Sequence, residues 1–219
     1  MRRLAVYSVV CLLVVSAGAA EIPLDDVDTL EFHNTEGVVT TFKGHPALQV
    51  LGPMTRAEDK LVIVDVEFAD GTIEVELAGG VQQGAMAGAR GFVGVAFHVQ
   101  EGAEKFEAFY LRPTNGRAQD QERRNHSSQY ISFPDHPWHK LREETPSRYE
   151  AYVDLIPDEW TSVHIVVDGD QARLYVHGNE QPTLIVNDLK RPETSGAVGL
   201  WVGPGTKAHF RNLRVTPAG

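Results

Sequence analysis

The residues best equipped for chemistry crowd into one stretch, 113–147. It holds Arg117, Arg123, Arg124 and Arg142 together with His126, His136 and His139, in a chain that otherwise leans acidic, with 20 Lys+Arg against 30 Asp+Glu. It also holds Tyr130, Phe133, Trp138 and Leu141. Sugars are bound by flat aromatic faces laid against C–H surfaces and by planar Asn, Gln and Arg groups that pair with hydroxyls. On that ground Arg112, Asn115, Arg124, Asn125, Gln129, Tyr130 and Trp138 are the expected ligand contacts. Trp138 and Tyr130 are the stacking surfaces, and Arg124, Asn125 and His126 the leading polar contacts. His126 is also the candidate general base, because an unperturbed imidazole titrates near neutrality. The opposing reading is a surface loop pinned down by its aromatics and ion pairs. Long stretches without alternation are uncommon in compact domains and usually serve a function or are disordered.

Other chemistries are less well supplied. His136 and His139 could ligate a metal, but Pro137 and the lack of a helical period weigh against it. His126 lies beside Ser127 and Ser128, yet adjacency in sequence says nothing about the geometry of a hydrolytic triad. A second cluster is acidic. Read as a two-residue hairpin loop, Asp70-Gly71 pairs Phe68 with Ile73, Val66 with Val75 and Val64 with Leu77 on an apolar face. The other face then pairs Glu67 with Glu74 and Asp65 with Glu76, and facing like charges are destabilising. Water, basic residues such as Arg211 and Arg214, or a cation such as calcium must relieve them. Beyond that calcium alternative, no cofactor and no metal-ligand set is expected.

The elements that must carry these residues have a period of two. Val62, Val64, Val66 and Phe68 alternate along one run, Ile73, Val75 and Leu77 along another, and Val163, Ile165 and Val167 along a third. Ala172, Leu174 and Val176 make a fourth. Turn signals at Asp70-Gly71, Asp168-Gly169 and Gly178-Asn179 separate them. Further strands are expected at 37–42, 46–51, 91–99, 105–112, 183–187, 196–202 and 207–215. In the 105–112 strand, Arg112 shares a face with Phe106, Ala108 and Tyr110. The pattern predicts an all-β fold, a sandwich of two antiparallel sheets with one long irregular loop segment at 113–147, forming a single domain over 21–219.

Residues 1–20 read as a cleavable secretory signal. Arg2 and Arg3 precede an apolar run at 4–15, and Ala17-Gly18-Ala19 offers a small-residue cleavage site. Export to the periplasm or the extracellular space follows, with no membrane insertion once the signal is cut. Cys11 is the sole cysteine and leaves with the signal, so neither disulfide nor thiol chemistry is available. The formal net charge of −10 repels phosphate backbones and weighs against nucleic-acid binding.

Several runs also resemble a known fold. The run from Phe68 to Glu76, Gly91-Phe92-Val93-Gly94-Val95-Ala96-Phe97, Trp160-Thr161 and Ala172-Arg173-Leu174-Tyr175-Val176-His177-Gly178 resemble successive strands of concanavalin A-like, laminin-G-like jelly rolls. Gly199-Leu200-Trp201 and the run from Phe210 to Val215 resemble its closing strands. The nearest family by this resemblance is the bacterial secreted 3-keto-disaccharide hydrolase family. It implies a carbohydrate or glycoconjugate partner and either hydrolysis or elimination of a modified disaccharide. The alternative is a carbohydrate-binding or cell-surface interaction module without turnover. Laminarinase-type glycosidases of this fold use E-x-D-x-x-E, and that motif is absent: Glu74-Val75-Glu76 runs into Leu77-Ala78-Gly79.

Overall fold

The computed structural model describes residues 19–55, 60–191 and 194–218. Apart from Ala19 and Ala20, the expected signal lies outside them. In chain order the strands are β1 (Ala20–Ile22), β2 (Glu31–His33), β3 (Glu36–Phe42), β4 (His45–Leu51), β5 (Leu61–Phe68), β6 (Gly71–Val81), β7 (Val93–Val99) and β8 (Phe106–Leu111). They continue as β9 (Ser128–Phe133), β10 (Glu150–Ala151), β11 (Thr161–Asp168), β12 (Gln171–Val176), β13 (Leu184–Val186), β14 (Gly196–Val202) and β15 (Thr206–Pro217). Three short helices, α1 (Pro113–Gly116), α2 (Gln121–Asn125) and α3 (Trp138–Glu144), lie between β8 and β10. Among the described residues no helix is long and apolar enough to cross a membrane.

The strands form two antiparallel sheets. The eight-stranded sheet runs β13-β12-β11-β6-β15-β4-β3 with β1 added on β15, and the seven-stranded sheet runs β10-β9-β8-β7-β14-β5-β2. This is the sandwich of two antiparallel sheets that the alternation predicts and the concanavalin A-like fold that the resemblance implies. Side chains of alternate residues meet between the sheets: Phe97, Phe109 and Tyr130 from one, Ile73, Ile165 and Phe210 from the other.

Two expectations need correction. The Asp70-Gly71 turn does not close a hairpin. β5 pairs with β14 and β2, whereas β6 pairs with β11 and β15, so the turn carries the chain from one sheet to the other. Gly71 has φ +128°, and a Cβ there would sit 2.1 Å from the Thr216 carbonyl oxygen. The bend is a tight crossing against the end of β15, and alternation alone cannot distinguish it from a hairpin loop. The four carboxylates are therefore divided between two sheets, and the grouping that motivated calcium does not form. Arg211 meets Glu76 at 3.0 Å and Arg214 meets Glu74 at 3.6 Å, which is the basic pairing the sequence offered. Among the described residues no group of three or more His, Cys, Asp or Glu could hold a metal ion.

The second correction concerns 113–147. It is not one irregular loop, because it contains β9, which pairs with β8 along its whole length. The strand is hidden in the sequence by Ser128, Gln129 and Ser132, which are polar yet buried. β8 and β9 are covered on both faces. Outside the sandwich core, Phe106, Ala108, Tyr110, Ile131 and Trp201 form a second apolar cluster, with Phe92 and Trp138 packed on it.

Candidate functional site

Tyr110, Ile131 and Trp201 of that outer cluster, with Phe92, floor a cavity of about 500 Å³, within the range of small-ligand sites. Strand alternation builds the floor. Phe106, Ala108, Tyr110 and then Arg112 project outward from β8, while Glu107, Phe109 and Leu111 project inward. Tyr110 stacks on Trp201 with centroids 4.5 Å apart and planes at 28°. Phe92 meets the Tyr110 ring edge-on at 6.2 Å. Gly94, opposite Tyr110, permits this packing, since a Cβ there would lie 2.2 Å from the Phe109 carbonyl oxygen. The walls come from the segment after β8. α3 contributes Trp138, His139 and Arg142, α1 contributes Asn115, and Arg123 and His126 come from α2 and its C-terminal cap. Arg90 lines the cavity from the loop before β7, next to α1, whose Thr114 N–H donates to the Arg90 carbonyl at 3.2 Å.

Arg112 organises the polar side. It is buried and donates to the His126 carbonyl at 2.9 Å, the Tyr110 hydroxyl at 2.8 Å, Gln129 Oε1 at 3.0 Å and Glu150 Oε1 at 3.3 Å. Glu150, on the two-residue strand β10, lies opposite Gln129 of β9. Its carboxylate also accepts from Arg142, whose Nε is 3.0 Å from Oε2 and whose Nη2 meets Oε1. The Arg142 guanidinium stacks on Trp138, 4.7 Å from the ring centroid. Two arginines thus hold one buried carboxylate, and the same carboxylate stands 2.8 Å from His126 Nδ1. The Nδ1 approach is close but is not an aligned hydrogen bond, so its effect is mainly electrostatic. Burial lowers the His126 pKa; Glu150 opposes this, and Arg142 and Arg112 add to the lowering. The balance favours the uncharged ring at neutral pH. A proton on Nδ1, facing the carboxylate, leaves Nε2 as the basic nitrogen.

Only some of the sequence-derived candidates reach the cavity. Arg112, Asn115, His126 and Trp138 line the cavity. Asn115 donates to the His126 carbonyl at 3.2 Å and so helps Arg112 fix that residue. Gln129 lies beneath the cavity, with its amide nitrogen on the carbonyls of Tyr130 and Tyr149. Tyr130 points the other way, into the sandwich core, where its hydroxyl donates to Glu107; it has no face to offer a ligand. Arg124 donates to the Tyr152 hydroxyl at 2.8 Å, and exposed Asn125 accepts from Gln121 at 2.8 Å, both away from the cavity. Sequence reasoning missed Glu150. It also left Tyr110 and Trp201 as fold residues. Tyr110 was within reach, because it precedes Arg112 by two positions on the same face.

A family model described as the 3-keto-alpha-glucoside-1,2-lyase-like domain matches residues 18–216. No curated protein matches the chain. Among solved structures, the carbohydrate binding module CBM66 from Bacillus subtilis is 14% identical with a TM-score of 0.59, over 84% of this chain and 93% of that one. A protein of unknown function with galectin-like fold, also from Bacillus subtilis, is 13% identical with a TM-score of 0.60, over 91% and 95%. The Crh5 transglycosylase in complex with NAG is 14% identical with a TM-score of 0.53, over 93% and 86%. At such identities the likeness is one of fold, a β-sandwich, alone.

Proposed function

The chain belongs to the 3-keto-alpha-glucoside-1,2-lyase-like domain family, and from that premise we propose that it takes a 3-keto-glycoside into the cavity and eliminates the aglycone across C1 and C2. The C3 ketone acidifies the proton on C2. His126 removes that proton through Nε2, and the electron pair moves into a C2–C3 enolate. As the C3 carbonyl re-forms, a C1–C2 double bond forms and the C1–O bond breaks. The departing oxygen takes a proton from the His126 imidazolium or from water. The step needs no oxidant or reductant. Glu150 stabilises the imidazolium, and the guanidinium of Arg112 or Arg142 stabilises the enolate oxygen. One arrangement carries this reading: an imidazole kept neutral, backed by a buried carboxylate, in a cavity floored by stacked aromatics. Among the described residues no Asp or Glu lines the cavity, so these supply no pair of carboxylates for double displacement.

A second reading, sugar binding without turnover, is favoured by one observation. Both Glu150 oxygens are already engaged by arginine, as in a rigid recognition site. The test follows aglycone release and binding for a series of 3-keto-glycosides with wild type, His126→Ala and Trp138→Ala. Elimination predicts that His126→Ala loses about 100-fold or more of turnover while still binding. Trp138→Ala should weaken binding about ten- to a hundredfold. Binding by wild type with no turnover of any 3-keto-glycoside removes the lyase reading and leaves the module. We also propose export after signal cleavage, with a mature N-terminus at Ala20 or Glu21. N-terminal sequencing of exported protein that found Met1 intact would remove it.

A further inference from the structure

Among the described residues the cavity is lined by Arg90, Arg112, Arg123 and Arg142, with His126 and His139, and by no Asp or Glu. The chain as a whole carries a formal net charge of −10. The charge inside the cavity is therefore opposite to that of the molecule. Two of the four arginines are accounted for, because Arg112 and Arg142 share Glu150. The other two have no such partner. Arg90 donates to the carbonyls of Ala87 and Ala89, each at 2.8 Å. Arg123 donates to Asn115 Oδ1 at 3.3 Å, and its Nε is buried without a hydrogen-bond partner. Among the described residues neither forms an ion pair. Both are anchored at α1: the Thr114 N–H donates to the Arg90 carbonyl at 3.2 Å, and Asn115 accepts from Arg123. Burial, together with the charges of Arg123 and Arg112, lowers the Arg90 pKa. Burial is the larger cause, and the two neighbouring guanidinium charges add to it with no carboxylate opposing them.

We infer that the sugar taken by this cavity carries an anionic group, a carboxylate or a sulfate ester, held by Arg90 and Arg123 beside α1. The inference rests on the sugar reading above and narrows it. A guanidinium is a planar fork that pairs with such oxygens in two parallel bonds. A cleft of one sign with low-dielectric walls focuses its field on a ligand of the other sign. A neutral sugar leaves both guanidinium groups partly desolvated and uncompensated.

The experiment titrates the mature protein with three matched disaccharides: a neutral parent, its uronate form and its sulfate ester. Inorganic sulfate and acetate serve as free anions. At least one charged sugar is expected to bind about tenfold or more tighter than the neutral parent. The uronate and sulfate arms show which group is preferred, and the preference should shrink as salt is raised. In Arg90→Gln and in Arg123→Gln the ratio of charged to neutral affinity falls toward one. Equal affinity of wild type for the neutral and charged sugars overturns the inference and leaves the sugar reading standing. So does a parallel loss of both affinities in the variants with the ratio kept, in folded protein by circular dichroism. A free anion binding as tightly as the charged sugar also overturns it. Failure of every sugar to bind removes both readings together.

Discussion

Glu150 is the residue on which the polar side of the cavity depends. Its carboxylate compensates Arg112 and Arg142 and faces His126, all within a buried patch. Glu150→Gln keeps the shape and removes the charge, so two guanidinium groups lose their counter-ion. Breaking a buried ion cluster at one member costs about 3–5 kcal/mol, and urea unfolding of the variant at neutral pH measures it. The pH profile gives a second readout. His126 acts as a base only when uncharged, and burial holds its pKa below the ordinary 6.5. Turnover in wild type should therefore persist below pH 6.5 and fall only as the pH drops through the depressed value. Glu150 is the group that raises the His126 pKa against burial, so in Glu150→Gln the acid limb of kcat/KM should move further down. A limb above pH 6.5 in wild type would exclude His126 as the base. Residue type alone made Arg112, Asn115, His126 and Trp138 legible. It could not find Glu150, which reaches them only through the pairing of β9 with β10. Nor could it separate Asn125 from its neighbour His126, because the turn of α2 sends the two side chains to different partners.

At the scale of elements, what was legible followed from alternation and what was hidden followed from polar groups satisfied inside. The β11–β12 hairpin at Asp168-Gly169 forms as expected, with Val167 opposite Ala172 and Asp168 opposite Gln171. β9 escaped notice because Ser128 and Gln129 read as loop residues; in place, the Ser128 hydroxyl donates to the Ala151 carbonyl at 2.9 Å and Gln129 is held by Arg112. The Asp70-Gly71 bend was visible, but which sheet each flanking strand joins is a long-range matter. Close approach of β7 to β8 is what seats Tyr110 on the floor, and Gly94 sets it. The neighbours of an added Cβ there are the backbone oxygen of Phe109 and Cα of Tyr110, the latter 2.6 Å away, which no change of rotamer can relieve. Gly94→Ala should cost about 1–3 kcal/mol and weaken sugar binding, because β8 must move and carries Tyr110 and Arg112 with it. Unchanged melting and unchanged affinity would show that the strands are not locked at this distance.

At the scale of the whole molecule the two sheets have separate duties. The seven-stranded sheet carries the cavity, and the eight-stranded sheet closes the core behind it and holds a buried histidine of its own. His209 on β15 lies under Phe42, with ring centroids 3.8 Å apart and planes at 8°, and its Nδ1 has no hydrogen-bond partner. Burial lowers its pKa from 6.5 to about 4, with Lys207 adding to the effect and Asp158 opposing it. The sign of the consequence is fixed by linkage. Between pH 6.5 and about 4 the unfolded chain binds a proton at this position that the folded chain refuses, so stability falls as the pH falls. The contribution is fully present above the unfolded value and is lost as the pH drops to the folded one, on the order of 3 kcal/mol over that span. Asp188 acts in the same direction lower down, because hydrogen bonds from Lys190 and Tyr149 outweigh its burial and hold its pKa below 3.8. His209→Phe removes the titrating group and keeps a ring against Phe42. The variant need not be more stable at pH 7, since the larger ring could crowd its neighbours; the quantity to read is the change in unfolding free energy between pH 7 and pH 4.5. Wild type should lose more over that interval than His209→Phe, while sugar binding at pH 7 is the same in both because the cavity belongs to the other sheet. Equal losses in the two proteins would mean that His209 takes up its proton in the folded state as readily as in the unfolded chain.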